Sequence, residues 1–106
     1  MDNDDFKKII EKLKLLKMLV VIKEIIKMLR FIHSERLCTP MKIRSEVNLG
    51  KSAIYNYLII CLDLKLIVRF DLPKIHEDGS HYMVMTTKKL KKFLEELDNY
   101  TKEIFT

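Results

Sequence analysis

Residues 39–66 read TPMKIRSEVNLGKSAIYNYLIICLDLKL, two helical runs around a break. The first run is TPMKIRSEV. The break is Asn48-Leu49-Gly50, and the second run starts at Lys51. Pro40 and Gly50 bracket the first run, where such residues punctuate structure. In the second run Ile54, Tyr57, Leu58, Cys61 and Leu62 recur at helical spacing and form an inward face. Downstream, IVRFDL (67–72) alternates Val68, Phe70 and Leu72 with Arg69 and Asp71, the period of a half-buried strand. A loop with Pro73 and the turn pair Asp78-Gly79 leads to a second strand, HYMVM (81–85). The Thr-led run TTKKLKKFLEEL (86–97) is a further helix.

This order of elements is that of a winged helix–turn–helix. It puts one helix in position to enter a DNA major groove and a hairpin beside the neighbouring backbone. The expected class is mainly α with a small β-hairpin wing (α+β), in one domain over residues 1–106. A long first helix spans 5–33, the helix–turn–helix 39–65, the wing hairpin 66–86 and a C-terminal dimerisation helix 87–105.

The chain has 106 residues, enough for one modest core. Its net charge is +5 and its pI about 9.2, a balance that draws polyanions. Asp2, Asp4 and Asp5 stand where a signal peptide needs positive charge, and the longest apolar run, Met18 to Ile22, is too short to cross a bilayer. The expected location is therefore cytoplasmic and nucleoid-associated, with no membrane partner. Cys38 and Cys61 are too few and too far apart for a disulfide framework.

Residues 5–33 carry two apolar faces. Phe6, Ile9, Ile10, Leu13 and Leu16 share one. Leu15, Leu19, Ile22, Ile26, Leu29 and Ile32 share another, turned by roughly 160°. The second face is the natural core face of the domain. The first needs a different cover, either the C-terminal helix or another chain. In the C-terminal helix Leu90, Phe93, Leu97, Tyr100 and Ile104 step by three and four, as coiled-coil seams do. These two stripes are the expected homodimer surfaces. Packing of the stripes on each other within one chain also satisfies them.

The segment NLGKSAIYNYLIICLDLKLI, the tyrosine-bearing strand and the Thr-Lys helix start resemble archaeal winged-helix DNA-binding proteins. Within that group the likeness is to the small crenarchaeal chromatin proteins of about ten kilodaltons. It spans roughly Cys38 to Leu97. Its anchors are Ile43, Asn48-Leu49, Tyr57, Asp63-Leu64, Ile67, Tyr82 and Thr87. The resemblance implies a dimer on double-stranded DNA, joined by a C-terminal antiparallel coiled coil. The chain departs from the pattern in two places. Lys89 and Leu90 stand where the family has a glycine after the threonine, and the N-terminal helix is unusually long.

The outward face of the second run begins with Lys51, Ser52, Tyr55 and Asn56, at the end where a recognition helix meets bases. Asn56 suits a paired hydrogen bond to adenine, and Tyr55 a phosphate or a thymine methyl. Lys51 and Ser52 suit phosphates. Ile59 and Ile60 cannot both turn inward, which thins the reading surface. Lys42 and Arg44 on the first run, and Lys74 and His76 in the wing, are further backbone contacts. Glu77 and Asp78 oppose that role, because two acids at the tip repel phosphate. Lys88, Lys89, Lys91 and Lys92 open the last helix against its dipole, so a counter-charge is expected nearby.

No cofactor, metal or enzymatic chemistry is expected. Gly50-Lys51-Ser52 lacks the first glycine and the strand of a phosphate-binding loop. The histidines and cysteines lack zinc spacing. Cys61 falls on the core face, and a surface-exposed Cys38 would leave an interchain disulfide open. The leading expectation is a dimeric, sequence-specific transcriptional regulator. The alternatives are an architectural chromatin protein with little sequence preference and a winged-helix protein-interaction module.

Overall fold

The computed structural model describes residues 3–105, the side chains of Asn3, Leu16 and residues 101–105 excepted. The elements run α1 (Asn3–Glu35), β1 (Leu37–Cys38), α2 (Pro40–Val47), α3 (Lys51–Asp63), β2 (Ile67–Asp71), β3 (Tyr82–Thr86) and α4 (Lys88–Phe105). The protein is mainly helical with a small antiparallel sheet, an α+β arrangement. The sheet order is β1-β3-β2, with Cys38 opposite Val84 and Arg69 opposite Val84 from the other side.

Each helix boundary has a local cause. Thr39 caps α2, accepting from the Lys42 amide at 3.2 Å, and Pro40 occupies a position where its missing N–H costs nothing. Asn48 ends α2 in the left-handed region (φ 54°), which asparagine tolerates. Lys65 takes the same region (φ 59°) after α3, so that Leu66 N–H reaches the Cys61 carbonyl and Lys65 N–H the Leu62 carbonyl, both at 3.0 Å. That pair of bonds is a Schellman ending, made without glycine. Thr87 opens α4. Its hydroxyl accepts from the Leu90 amide at 3.1 Å and donates to the Leu66 carbonyl at 2.7 Å.

The core draws Met28, Leu29 and Ile32 from α1, Ile43 and Val47 from α2, and Ile54, Tyr57, Leu58 and Cys61 from α3. Ile67, Val84, Leu90 and Leu94 close it. The fully buried residues of α1 come from its last third, with Val21 and Ile25 packed against the core ahead of them. The helix has 33 residues, about 50 Å, and the molecule measures 60 × 33 × 22 Å because α1 projects from the domain.

Several expectations are corrected here. Of the presumed core face of α1, Leu29 and Ile32 are buried, but Leu15 (59% exposed), Leu19 (57%) and Ile22 (48%) are not. The helical period was right, but the domain ends before it reaches them. Met28 takes a core place instead. Leu90, expected at a dimer seam, is fully buried in this chain's own core together with Leu94. Leu16 and Ile104, also expected to dimerise, lie outside the described side chains. Cys38 is buried in β1, which closes the interchain disulfide left open for an exposed thiol. In β2 the buried residue is Ile67. Val68 and Phe70 lie on the outer face of the sheet and are exposed, beside Met85 and Leu37. The helices occupy the other face, so the alternation is real but its apolar side looks outward. Among the described residues no helix is long and apolar enough to cross a membrane.

Candidate nucleic-acid interface

α3 has one buried face, Ile54, Tyr57, Leu58 and Cys61. Burying four large side chains on one side fixes the rotation of the helix, at roughly 1.5–3 kcal/mol each. The rotation leaves Lys51, Ser52, Tyr55 and Asn56 exposed on its first two turns. No side chain caps the α3 N-terminus, where Gly50 stands with open space around its Cα. Free backbone donors and Lys51 at one helix end suit an anion such as a phosphate. Ile59 and Ile60, further along, are both exposed, so neither turns inward.

The β2–β3 hairpin contributes a second group to this surface. The Arg69 guanidinium lies 3.9 Å above the Tyr82 ring and pairs with Asp71 at 2.9 Å. Tyr55 of α3 is close enough to act on the Tyr82 phenol electrostatically. Burial pushes the Tyr82 phenol up, with Arg69 opposing, so it keeps its proton at neutral pH. Tyr55, Tyr82 and Arg69 thus join α3 to the hairpin in one polar, aromatic and cationic patch. Sequence reasoning missed Arg69, although its place between Val68 and Phe70 put it on the opposite strand face.

The loop after β2 is folded back on itself. Leu72 N–H reaches the His81 carbonyl at 2.9 Å, and His76 N–H the Ser80 carbonyl at 2.9 Å. Gly79 (φ 90°) makes the turn and donates to the His76 carbonyl at 2.8 Å. Asp78 points inward. It accepts from the Thr39 hydroxyl and from the Ser80 amide at 2.9 Å, and His76 stands 3.2 Å away. Burial alone would raise this carboxyl. The hydrogen bonds of Thr39 and Ser80, and His76, outweigh it and hold it at about 2. The expected pair of repelling acids at the tip is therefore one acid, Glu77. His76 spends Nδ1 inside the loop, accepting from the Asp78 amide at 3.2 Å. Lys74 is exposed.

Lys42 and Arg44 are both exposed on α2, but two residues apart on a helix is about 200° of rotation, so they do not face one duplex together. Lys42 lies 3.4 Å from Glu35. The lysines of α4 are divided. Lys89 donates to the Leu64 carbonyl at 2.5 Å. Lys88 and Lys91 line a concavity of about 570 Å³ with His33, Ser34, Arg36, Thr86 and Thr87. It lies at the end of the sheet away from the β2–β3 loop. Among the described residues no three His, Cys, Asp or Glu side chains come together as a metal would need.

Comparison with protein-family models, with curated proteins and with solved structures finds no match for this chain.

Proposed function

We propose that the chain is a winged helix–turn–helix protein that binds double-stranded DNA sequence-specifically, as a homodimeric transcriptional regulator. One observation carries the reading. The face of α3 opposite the core presents Lys51, Ser52, Tyr55 and Asn56 together, and the Arg69–Tyr82 pair of the hairpin stands next to it. In this reading α3 enters the major groove by its N-terminal turns. Asn56 and Tyr55 meet base edges, while Lys51, Ser52 and the free α3 amides hold phosphates. Arg69, stacked on Tyr82, reaches the adjoining backbone. The resemblance to archaeal winged-helix proteins agrees, and it rests on the residues quoted for it alone.

Fluorescence anisotropy with pooled genomic duplex against random duplex, across a salt series, tests the proposal. A preference of about a thousandfold for some fragment supports a regulator. Equal binding that collapses with salt replaces it with architectural, phosphate-led binding. No binding of either duplex at low salt refutes the DNA reading. A second reading, a protein-interaction module, draws on Ile59 and Ile60 exposed on α3 and on Val68, Phe70 and Met85 exposed on the sheet. A stable protein complex without duplex binding would favour it.

A further inference from the structure

Away from the α3 and hairpin surface, the concavity of about 570 Å³ gathers cations from separate elements. Arg36 comes from the turn after α1, and Lys88 and Lys91 from the start of α4. Lys88 and Lys91 stand three residues apart and so share one face of the helix. Among the described residues none of the three makes an ion pair, and no acid lines the concavity. Glu35, the neighbour of Arg36, is turned to Lys42 at 3.4 Å. The first turn of α4 holds no acid, and Glu95, one turn beyond Lys91, is outside the lining. The counter-charge that these lysines call for is therefore not found in their surroundings. Like charges gathered in a concave wall focus a positive potential into it.

The wall is fixed before any ligand arrives. Arg36 takes the left-handed region (φ 68°) with both backbone groups engaged. Its N–H reaches the Ile32 carbonyl at 2.8 Å, and its carbonyl accepts from the Thr86 amide at 2.9 Å. Thr87 ties the start of α4 to the Leu66 carbonyl at 2.7 Å. His33 and Thr86 both line the concavity and meet, Nδ1 to Oγ1, at 3.1 Å. That contact leaves a donor over in either neutral tautomer. With the proton on Nδ1 the imidazole donates, and the Thr86 hydroxyl keeps its O–H. With the proton on Nε2 the hydroxyl donates, and the Nε2–H is left. Three cations and a neutral donor on a rigid wall suit a compact oxyanion of more than one charge.

We infer that this concavity binds the phosphate group of a small, free phosphomonoester. A monoester carries about −1.5 to −2 charge at neutral pH, whereas each phosphate of a nucleic-acid backbone carries one. The higher charge matches the cluster. The volume falls within the range of small-molecule sites, and no Phe, Tyr or Trp lines it to stack a base. The place is also apart from the surface proposed for DNA. Thr86 pairs with Ile67 at one end of the hairpin, and Tyr82 stands four residues earlier on β3, about 13 Å away. The inference goes beyond the DNA reading and stands without it.

Isothermal titration calorimetry of the full chain at low salt tests the site. Inorganic phosphate is the probe, dimethyl phosphate the diester control, and amide NMR shifts locate the contact. Phosphate is expected to saturate with a Kd on the order of 1 mM or tighter. It should shift the amides of Arg36 and residues 86–91 and leave those of residues 51–56 in place. Dimethyl phosphate is expected to bind about tenfold more weakly or worse. Lys91→Met and Arg36→Asn (asparagine tolerates the left-handed backbone) each weaken phosphate binding by about tenfold, with circular dichroism verifying the fold. Lys92→Met removes the same charge one residue away, outside the lining, and leaves the affinity unchanged. Absence of saturation overturns the inference. So does equal weakening by Lys92→Met, the mark of general attraction to a basic protein. A short duplex that displaces phosphate and shifts the same amides overturns the free ligand in favour of a nucleic-acid backbone, as does dimethyl phosphate binding equally well. A duplex that shifts only the α3 amides supports two separate sites, and one that shifts none sinks the DNA reading alone.

Discussion

Replacing Thr39 by valine keeps the shape of a buried side chain and removes a hydroxyl with two partners. The first is the Lys42 amide, the N-cap contact of α2, worth about 1 kcal/mol. The second is the Asp78 carboxylate. A hydrogen bond to a charged group contributes about 1.5–3 kcal/mol. Asp78 is 28% exposed, so water replaces part of it and the lower figure applies. The expected loss is about 2.5 kcal/mol at neutral pH, or about 10–20 °C in Tm for a domain of this size. A double-mutant cycle with Asp78→Ala, read by urea and thermal unfolding, isolates the second contact at about 1.5 kcal/mol. Its pH dependence has a definite sign. The Asp78 carboxyl is lowered from 3.8 to about 2, so its contribution is fully present above 3.8 and is lost as the pH falls through about 2. Energies that add within about 0.3 kcal/mol at neutral pH would refute the coupling. So would a coupling that survives unchanged to pH 1. On the DNA reading, Thr39→Val also weakens duplex binding, because it frees a second acid at the loop tip.

Three further outcomes follow from the geometry. Lys51→Ala is expected to weaken duplex binding alike across sequences and reduce the salt slope by about 1, whereas Asn56→Ala relaxes preference at one base pair by about 1–3 kcal/mol; paired binding curves at several salt concentrations separate the two. Lys65→Gly is expected to stabilise the fold by about 0.5–1 kcal/mol, since glycine holds φ 59° without a Cβ clash, and a thermal melt checks it. Cys38 and Cys61 are pushed up to about 11 by burial, with Glu35 adding at Cys38, so a thiol reagent at pH 8 should label neither until the protein unfolds.

Much of the architecture was legible in the residues, and the failures share a cause. The helix boundaries at Pro40, Lys51 and Lys88 follow local punctuation, which acts over three or four residues. The strand expected at 67–72 from its alternation is found at 67–71, and the one expected at 81–85 beyond the Asp78-Gly79 turn is found at 82–86. β1 was not anticipated, because Leu37 and Cys38 are too few to show a period and exist as a strand only through β3. Periodicity also reports which residues share a face, but not what the face meets. Hence Val68 and Phe70 were grouped correctly and placed on the wrong side of the sheet, and Leu15, Leu19 and Ile22 were aligned with a core that stops short of them. Leu90 lies in line with Phe93 and Leu97, yet it is Leu90 and Leu94, one turn apart, that are pressed into the domain. At the candidate interface, exposure of Lys51, Ser52, Tyr55 and Asn56 followed from the inward face of α3. The inward turn of Asp78 rests on a contact between residues 39 positions apart, which no local pattern announces.

The junction between α3 and α4 has a mechanical meaning. Thr87 grips the Leu66 carbonyl and Lys89 the Leu64 carbonyl, so the start of α4 is fastened to the two residues flanking the left-handed turn that ends α3. A load placed on the start of α4 therefore has two points of attachment to the end of α3, the Leu64 and Leu66 carbonyls. The left-handed turn at Lys65 thus serves two ends at once: it closes α3, and the carbonyls on either side of it anchor α4.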